Sequence, residues 1–234
     1  MNPLKKKWLK IVAISLLVIV IGLAGGFLIY VSDYSRADQT AVTMLANDTA
    51  LRQDGDLIIF PSTTPSETAL IFYPGGKVEA TAYVPLLEKL RQNGITCVLV
   101  KMPFNLAVFS TNAADQIYEQ LPEIKNWYIG GHSLGGAMAS AYTAKNKDKI
   151  KGLVLLGAYV YGDVDPGQSL TIYGSEDQVL DRSKITYSEN VEVILGGNHA
   201  QFGNYGLQKG DGTATITRDE QQDLTVQKIL DWIR

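Results

Sequence analysis

Cysteine and histidine are almost missing from this chain, with one Cys and two His among 234 residues. The lone Cys97 excludes an intramolecular disulfide and a cysteine-based metal cluster. Its place in the apolar run 95–100 marks it as a buried, inert thiol. No His/Asp/Glu spacing suggests a metal site, and there is no internal repeat or low-complexity segment. Positive charge is also scarce. Lys5, Lys6, Lys7 and Lys10 are the only charged side chains before Asp33; 21 Lys and Arg less these four leaves 17 against 24 Asp and Glu, or −7 for the rest. That balance argues against a nucleic-acid-binding surface. Nucleotide loops are missing too. Gly76-Lys77 lacks the earlier glycine and the Ser/Thr of a phosphate-binding loop, and Gly130-Gly131 does not continue as G-x-G-x-x-G.

The one long stretch without charge lies near the amino terminus. Residues 11–31 are 21 uncharged positions, enough at 1.5 Å rise per residue to span a hydrocarbon core of ~30 Å. Trp8 and Tyr30 flank it as interfacial aromatics, and the lysines precede it. The positive-inside rule then predicts a cytoplasmic basic tail (1–10), a transmembrane anchor (11–31), a connection (32–48) whose part to about Thr40 is polar, and an extracytoplasmic domain (49–234). A cleaved signal peptide is the competing reading, since Ala24-Gly25-Gly26 is small enough to be cut and the domain would then be secreted. A lipoprotein is excluded because no cysteine lies near the segment.

After the anchor, strands and helices alternate. Residues 49–60 read as a hairpin around Asp54-Gly55, and 69–73 as a buried strand ended by Pro74-Gly75-Gly76. The spacing predicts a helix over 79–92, with Tyr83, Leu86, Leu87 and Leu90 on one face and Gly94 past its end. A strand over 95–100, a loop containing 104–109, a helix over 113–121 and a strand up to Gly130 follow. A helix then begins at Leu134 and ends in the solvated run 145–149. Strands over 152–158, 170–173 and 191–195 precede a final amphipathic helix at 217–234, with Val226, Ile229, Leu230 and Ile233 inward. This alternation implies an α/β fold with a mainly parallel sheet, helices on both faces and an antiparallel hairpin at its start. Reactive groups in such sheets gather beyond the carboxyl ends of the strands.

Gly131-His132-Ser133-Leu134-Gly135 is a G-x-S-x-G pentapeptide between an apolar strand and a small-residue helix, the context of a nucleophile elbow. A serine at the apex of so tight a turn is strained, and bulky side chains two positions before or after it would collide with strand or helix. Alternatively, Ser133 merely caps the helix. A serine nucleophile needs a base, nearly always histidine. His132 neighbours Ser133 and faces away from it, which leaves His199, on the loop after the last strand, by elimination. The base in turn needs a carboxylate. Asp177 follows the preceding strand and completes the chain order Ser133, Asp177, His199, with Glu176 and Asp163 as competitors and a capping role near Val179 as its other reading. Backbone N–H groups of Leu134 and Gly76, or of Lys77 in place of Gly76, are the candidate oxyanion donors.

With these residues in place the chain resembles the α/β-hydrolase family, and most closely its small bacterial members. The resemblance rests on Phe72-Tyr73-Pro74-Gly75-Gly76-Lys77, Asn105-Leu106-Ala107-Val108-Phe109, Gly131-His132-Ser133-Leu134-Gly135-Gly136-Ala137 and Gly196-Gly197-Asn198-His199-Ala200-Gln201-Phe202-Gly203. It covers about residues 49–234 and implies a serine hydrolase acting on ester-type acyl bonds of a small molecule or lipid, without metal or organic cofactor. Thioesters and amides stay within its reach. The family often carries a lid after the strand ending near Tyr159, whereas only residues 160–169 separate that strand from the next. An open site is therefore expected, shaped by 104–109 and by the loop 199–213 with Tyr205, Asp211 and Gly212, which otherwise serves as a plain glycine-rich connection. The rival from another class is a non-catalytic binding protein of the same fold at the membrane surface.

Overall fold

The computed structural model describes residues 3–233. Met1, Asn2 and Arg234, which fall in the expected tail and final helix, lie outside the described residues. Two compact units part between Tyr34 and Ser35. The first is helix α1 (Pro3–Ser32), 30 residues long and so about 45 Å at 1.5 Å per residue. Among the described residues it is the one helix long and apolar enough to cross a membrane. It extends back through the lysines expected to form a separate tail, because Lys is a good helix former.

In the second unit, an eight-stranded sheet runs in the order β1-β2-β4-β3-β5-β6-β7-β8. Its strands are β1 (Arg52–Asp54), β2 (Leu57–Phe60), β3 (Thr68–Tyr73), β4 (Thr96–Val100), β5 (Asn126–His132), β6 (Gly152–Leu156), β7 (Ser169–Gly174) and β8 (Val191–Ile194). The β1–β2 hairpin turns at Gly55 (φ 54°) and pairs antiparallel with β4, while β3 to β8 are parallel. Alternation along each strand divides the interior into two cores. Leu70, Phe72, Cys97 and Leu99 meet α3 (Val84–Gln92) and α5 (Arg218–Ile233) on one face. Ala69, Ile71, Tyr73, Val98 and Val100 meet α4 (Leu134–Lys145) on the other.

Tyr83, Leu86, Leu87 and Leu90 are all fully buried, as their spacing predicts, and Gly94 leaves the helix at φ 92°. Val226, Ile229 and Leu230 are buried too. At the start of α5, Thr217 Oγ1 accepts the Glu220 N–H while the Glu220 carboxylate accepts the Thr217 N–H, a reciprocal cap. The expected helix at 113–121 is instead two 3-10 turns, Ala113–Gln116 and Tyr118–Gln120. The Tyr73 hydroxyl captures the Ala114 N–H at 2.9 Å, and Pro122 biases Leu121 away from helical backbone.

The stretch 32–48 is more than a connection. Ser35 bridges Val78, and Asp38 caps a further helix, α2 (Gln39–Asn47), by accepting the Ala41 N–H at 3.0 Å. Asp38 also accepts from Arg218 at 2.8 Å and Asn204 at 3.1 Å, and Asp48 pairs with Arg91. The folded unit therefore begins near Ser35, ahead of Thr49. Asp38→Ala removes a helix cap and a partner of the half-buried Arg218 together. It is expected to destabilise this unit by about 1–2 kcal/mol, read as a lower urea midpoint at unchanged slope.

Candidate active site

The site begins where β5 becomes α4. Ser133 has φ 52° and ψ −121°, its N–H donates to Leu156 O, and its carbonyl accepts the Ala137 N–H. The glycines around it have a steric cause. A Cβ on Gly131 would lie 2.6 Å from Tyr73 O, and one on Gly135 would lie 2.2 Å from both Tyr73 O and Pro74 O. Strand and helix can pack this closely on β3 only without side chains at those positions. Ser133 occupies the cap position of α4, yet its side chain makes no capping hydrogen bond, so the capping reading fails.

Asp177 and His199 come together from the ends of β7 and β8. Asp177 Oδ2 lies 2.8 Å from His199 Nδ1, with both side chains essentially buried. Asp177 Oδ1 accepts the N–H groups of Val179 and Leu180, so the carboxylate is oriented from both oxygens and its capping role coexists with the histidine contact. The competitors lie elsewhere. Glu176 accepts from Ser175 Oγ, and Asp163 is exposed and paired with Lys147. Gly157, at φ 51°, makes room for the pair, since a Cβ there would sit 2.8 Å from His199 Nδ1. The opposite ring nitrogen, Nε2, is buried and has no hydrogen-bond partner among the described residues.

Ser133 and His199 line the same cleft of about 330 Å3, together with Leu134, Ala137, Gly157, Ala158, Tyr159, Val179, Leu180 and Asp181. The expected wall differs. Phe104, Val108 and Phe109 are exposed and do not line this cleft, although Asn105 O holds the Lys77 N–H at 2.8 Å. The connections after β6 and β7 form the wall instead, and between those strands the described residues hold one short helical turn, Pro166–Gln168. A larger surface depression of about 480 Å3 between α3 and α5 is lined by Lys89, Gln92, Asn93, Asp223 and neighbours, with no serine, cysteine or histidine among them.

On the other side of the elbow, Gly76 packs against Leu134: a Cβ on Gly76 would be 2.8 Å from the Leu134 side chain. The N–H groups of Gly75, Lys77 and Val78 are engaged by Tyr83 Oη, Asn105 O and Gly75 O. Lys77 thus loses its claim as a donor to substrate, while among the described residues no such bond engages Gly76. Leu134 opens α4, where the helix dipole favours negative charge.

The loop 199–213 turns inward. Asp211 accepts the N–H groups of His199 (3.2 Å) and Ala200 (2.8 Å), and Asn198 donates to Gly212 O. Tyr205 is buried rather than offered to substrate. Sequence reasoning also set His132 aside. It does face away from the cleft, but its ring lies 4.4 Å from that of His199, and its Nδ1 lies 2.7 Å from Tyr83 Oη. Burial, and then the neighbouring His199, push its pKa well below the ordinary value, against a smaller opposing effect of the His199 backbone. Among the described residues no group of three or more His, Cys, Asp or Glu side chains could hold a metal ion.

The family model of the alpha/beta hydrolases matches residues 69–223, most of the chain. The chain belongs to the alpha/beta hydrolase family. Solved structures agree with this alpha/beta hydrolase in fold. Est1E from Butyrivibrio proteoclasticus superposes with a TM-score of 0.54 at 15% identity, covering 78% of this chain and 97% of its own. A dienelactone hydrolase from Anabaena variabilis gives 0.52 at 15% identity over 79% and 96%. A predicted CIB-like hydrolase from Thermoplasma acidophilum gives 0.53 at 16% identity over 78% and 99%. A search of curated proteins returns no match.

The depressed pKa of His132 has a consequence for stability. Below about pH 6.5 an unfolded histidine takes a proton that folded His132 refuses. Its contribution is therefore present above that pH and lost as the pH falls. The hydrolase should lose stability by up to about 1.4 kcal/mol per pH unit below pH 6 from this group. Thermal melts at pH 7.5 and 5.5 should show a smaller acid-induced drop in His132→Asn than in the parent.

Proposed function

We propose that this hydrolase is a serine carboxylesterase, held at a membrane by α1, that cleaves small uncharged esters through an acyl-enzyme. The observation that supports it most is the buried Nε2 of His199, unpartnered among the described residues, while Nδ1 is fixed by Asp177 and Ser133 lines the same cleft. Leaving a buried polar atom unpaired is costly, and a hydrogen bond from the Ser133 hydroxyl in the reacting complex would satisfy it. Ser133 in a strained backbone, with no capping bond to make, fits a nucleophile better than a structural serine. The same features weigh against a purely ligand-binding role.

In this reading Ser133 Oγ attacks the ester carbonyl carbon as His199 Nε2 takes its proton. The carbonyl electron pair moves onto oxygen, where the N–H groups of Leu134 and Gly76 stabilise it. Collapse expels the alkoxide, which takes the proton from His199. Water then attacks the acyl-enzyme, giving a proton to His199 that passes to Ser133 as the acid leaves. Asp177 remains a carboxylate and holds the imidazole tautomer throughout.

Size and charge of the cleft narrow the substrate. Its volume lies at the low end for ligand sites, and Ala137, Ala158, Val179 and Leu180 make much of its wall apolar. The ionisable side chains on its wall are Asp181, His199 and Tyr159, so no lysine or arginine there would pair with an anionic acyl group. Arg182 lies next in sequence but is directed at the carbonyls of Ser175 and Asp177. The apolar length of α1 and the lysines near its start support a single-pass protein of the cell membrane with its hydrolase unit extracytoplasmic, where small esters are the candidate substrates.

The detergent-solubilised full chain is expected to label with a fluorophosphonate, and Ser133→Ala and His199→Ala to lose labelling and at least about a thousandfold in ester turnover. A folded parent that stays unlabelled and inactive on every ester tried overturns the reading. Among p-nitrophenyl esters, acetate and butyrate should exceed dodecanoate in kcat/KM by tenfold or more, on the order of one or two pocket methylenes' worth of discrimination. A hemisuccinate should fall below butyrate. Equal turnover across the series would remove the proposed substrate class and leave the esterase intact.

A further inference from the structure

His132 is the buried titratable group that none of these steps uses. It is 1% exposed, and the rings of Tyr83, His199, Phe202 and Tyr205 surround it, bringing no carboxylate against it. Tyr83 is itself fully buried. The Tyr83 oxygen lies 2.7 Å from His132 Nδ1 and 3.0 Å from Gly75 N. Gly75 has no room for a side chain, because a Cβ would be 2.7 Å from Tyr83 Oη and 2.8 Å from His132 Nδ1. The backbone just before Gly76 is thus pressed directly on the Tyr83–His132 pair.

The protons along this chain follow from donor chemistry. A peptide N–H only donates, so the Tyr83 oxygen accepts from Gly75. Burial pushes the Tyr83 phenol far up, and it keeps its single proton. Among the described residues His132 Nδ1 is the acceptor placed to receive that proton, which makes Nδ1 the unprotonated nitrogen and leaves the hydrogen of the neutral ring on Nε2. His132 Nε2 is buried and has no hydrogen-bond partner among the described residues in either case, so this tautomer leaves one N–H unpaired, whereas the opposite one would put two donors on the phenol oxygen and leave both the phenol proton and the Nε2 lone pair unpaired.

Resting on the esterase reading, we propose that Tyr83 and His132 are positioning residues for the oxyanion loop. His132, carried on the elbow strand, orients the Tyr83 hydroxyl. Tyr83 holds the Gly75 peptide, and the next N–H, that of Gly76, is thereby kept aimed at the cleft beside Leu134. The elbow and the oxyanion loop come from different parts of the chain, and this bonded path fixes one relative to the other. A neutral His132 also keeps a second cation away from the imidazolium that forms on His199, one ring contact away. Misplacing a reacting geometry by about 1 Å costs on the order of a hundredfold, which sets the scale of the effect.

The test uses the full chain in detergent and a p-nitrophenyl butyrate assay. Tyr83→Phe and His132→Leu are each expected to lower kcat by about ten- to a hundredfold with KM within about threefold. His132→Asn, whose Oδ1 can still accept from Tyr83, should recover most of kcat. The double variant Tyr83→Phe/His132→Leu should be no slower than the slower single variant, since both break one path. A structural role alone would lower melting temperatures without this split between kcat and KM and without rescue by Asn. Tyr83→Phe at parental kcat, or losses that multiply in the double variant, overturns the proposal. Nitrogen NMR of the parent provides a readout that needs no activity. Nε2 of His132 should carry the proton and Nδ1 should not, and a protonated Nδ1 overturns the bonding path. An inactive parent overturns the esterase reading and the positioning role with it, while the nitrogen spectrum still judges the tautomer by itself.

Discussion

At φ 52° the backbone of Ser133 stores strain of about 1–3 kcal/mol, and it keeps that conformation only because the chain is gripped on both sides. Its N–H is held by Leu156 O on β6 and its carbonyl by the first turn of α4. The helix lies against β3 at Gly135 with less space than a methyl group needs. Relaxing the serine would require moving a helix off the sheet, so packing of the whole unit maintains one unfavourable dihedral. The same turn starts the helix at Leu134, presenting an N–H where Gly76 packs beside it. It also sends His132 inward to Tyr83.

A second constraint acts across the carboxyl ends of β6, β7 and β8. The Asp177–His199 pair is buried, and a buried charge persists only when its hydrogen-bonding capacity is met. Backbone N–H groups of Val179 and Leu180 meet one oxygen and the imidazole meets the other. Asp211 then fixes the backbone that carries the histidine. The glycine after β6 leaves the space that the pair fills. The loop 199–213 is therefore a brace for His199; its Gly212 serves close packing, where a Cβ would lie 2.0 Å from Glu176 O, while Gly206 and Gly210 turn the chain at positive φ.

Openness of the cleft has a simple origin in chain length. Between β6 and β7 the chain has room for one short helical turn, which cannot cover the serine. The cleft wall is then built from residues that directly follow strands, Ala158, Tyr159 and Val179 to Asp181, and stays narrow. The exposed pair Phe104 and Phe109, packed edge to face at 5.7 Å, stands apart from that wall. Its loop is joined to the Gly76 region through Asn105 by backbone bonding, which no pattern of side chains reveals.

The alternation of apolar strands and amphipathic helices, the parallel sheet with its antiparallel start, and the inward faces of α3 and α5 were all legible in the chain, because periodicity depends on local geometry alone. So was the elbow, since its strand–serine–helix pattern is local, although the backbone that leaves no room for a side chain at Gly131 and Gly135 includes the distant end of β3 at Tyr73 and Pro74. Three things were decided only by tertiary structure. The segment 35–48 joins the folded unit through Asp38, whose partners Asn204 and Arg218 lie more than 160 residues away. The carboxylate partner of His199 is Asp177 rather than Glu176 or Asp163 because strand order and register set which side chain reaches the imidazole. The Gly75–Tyr83–His132 path exists because β3, the approach to α3 and β5 meet at one buried point. Sequence spacing reports which face a residue takes on its own element, and contacts between elements appear only once those elements are packed.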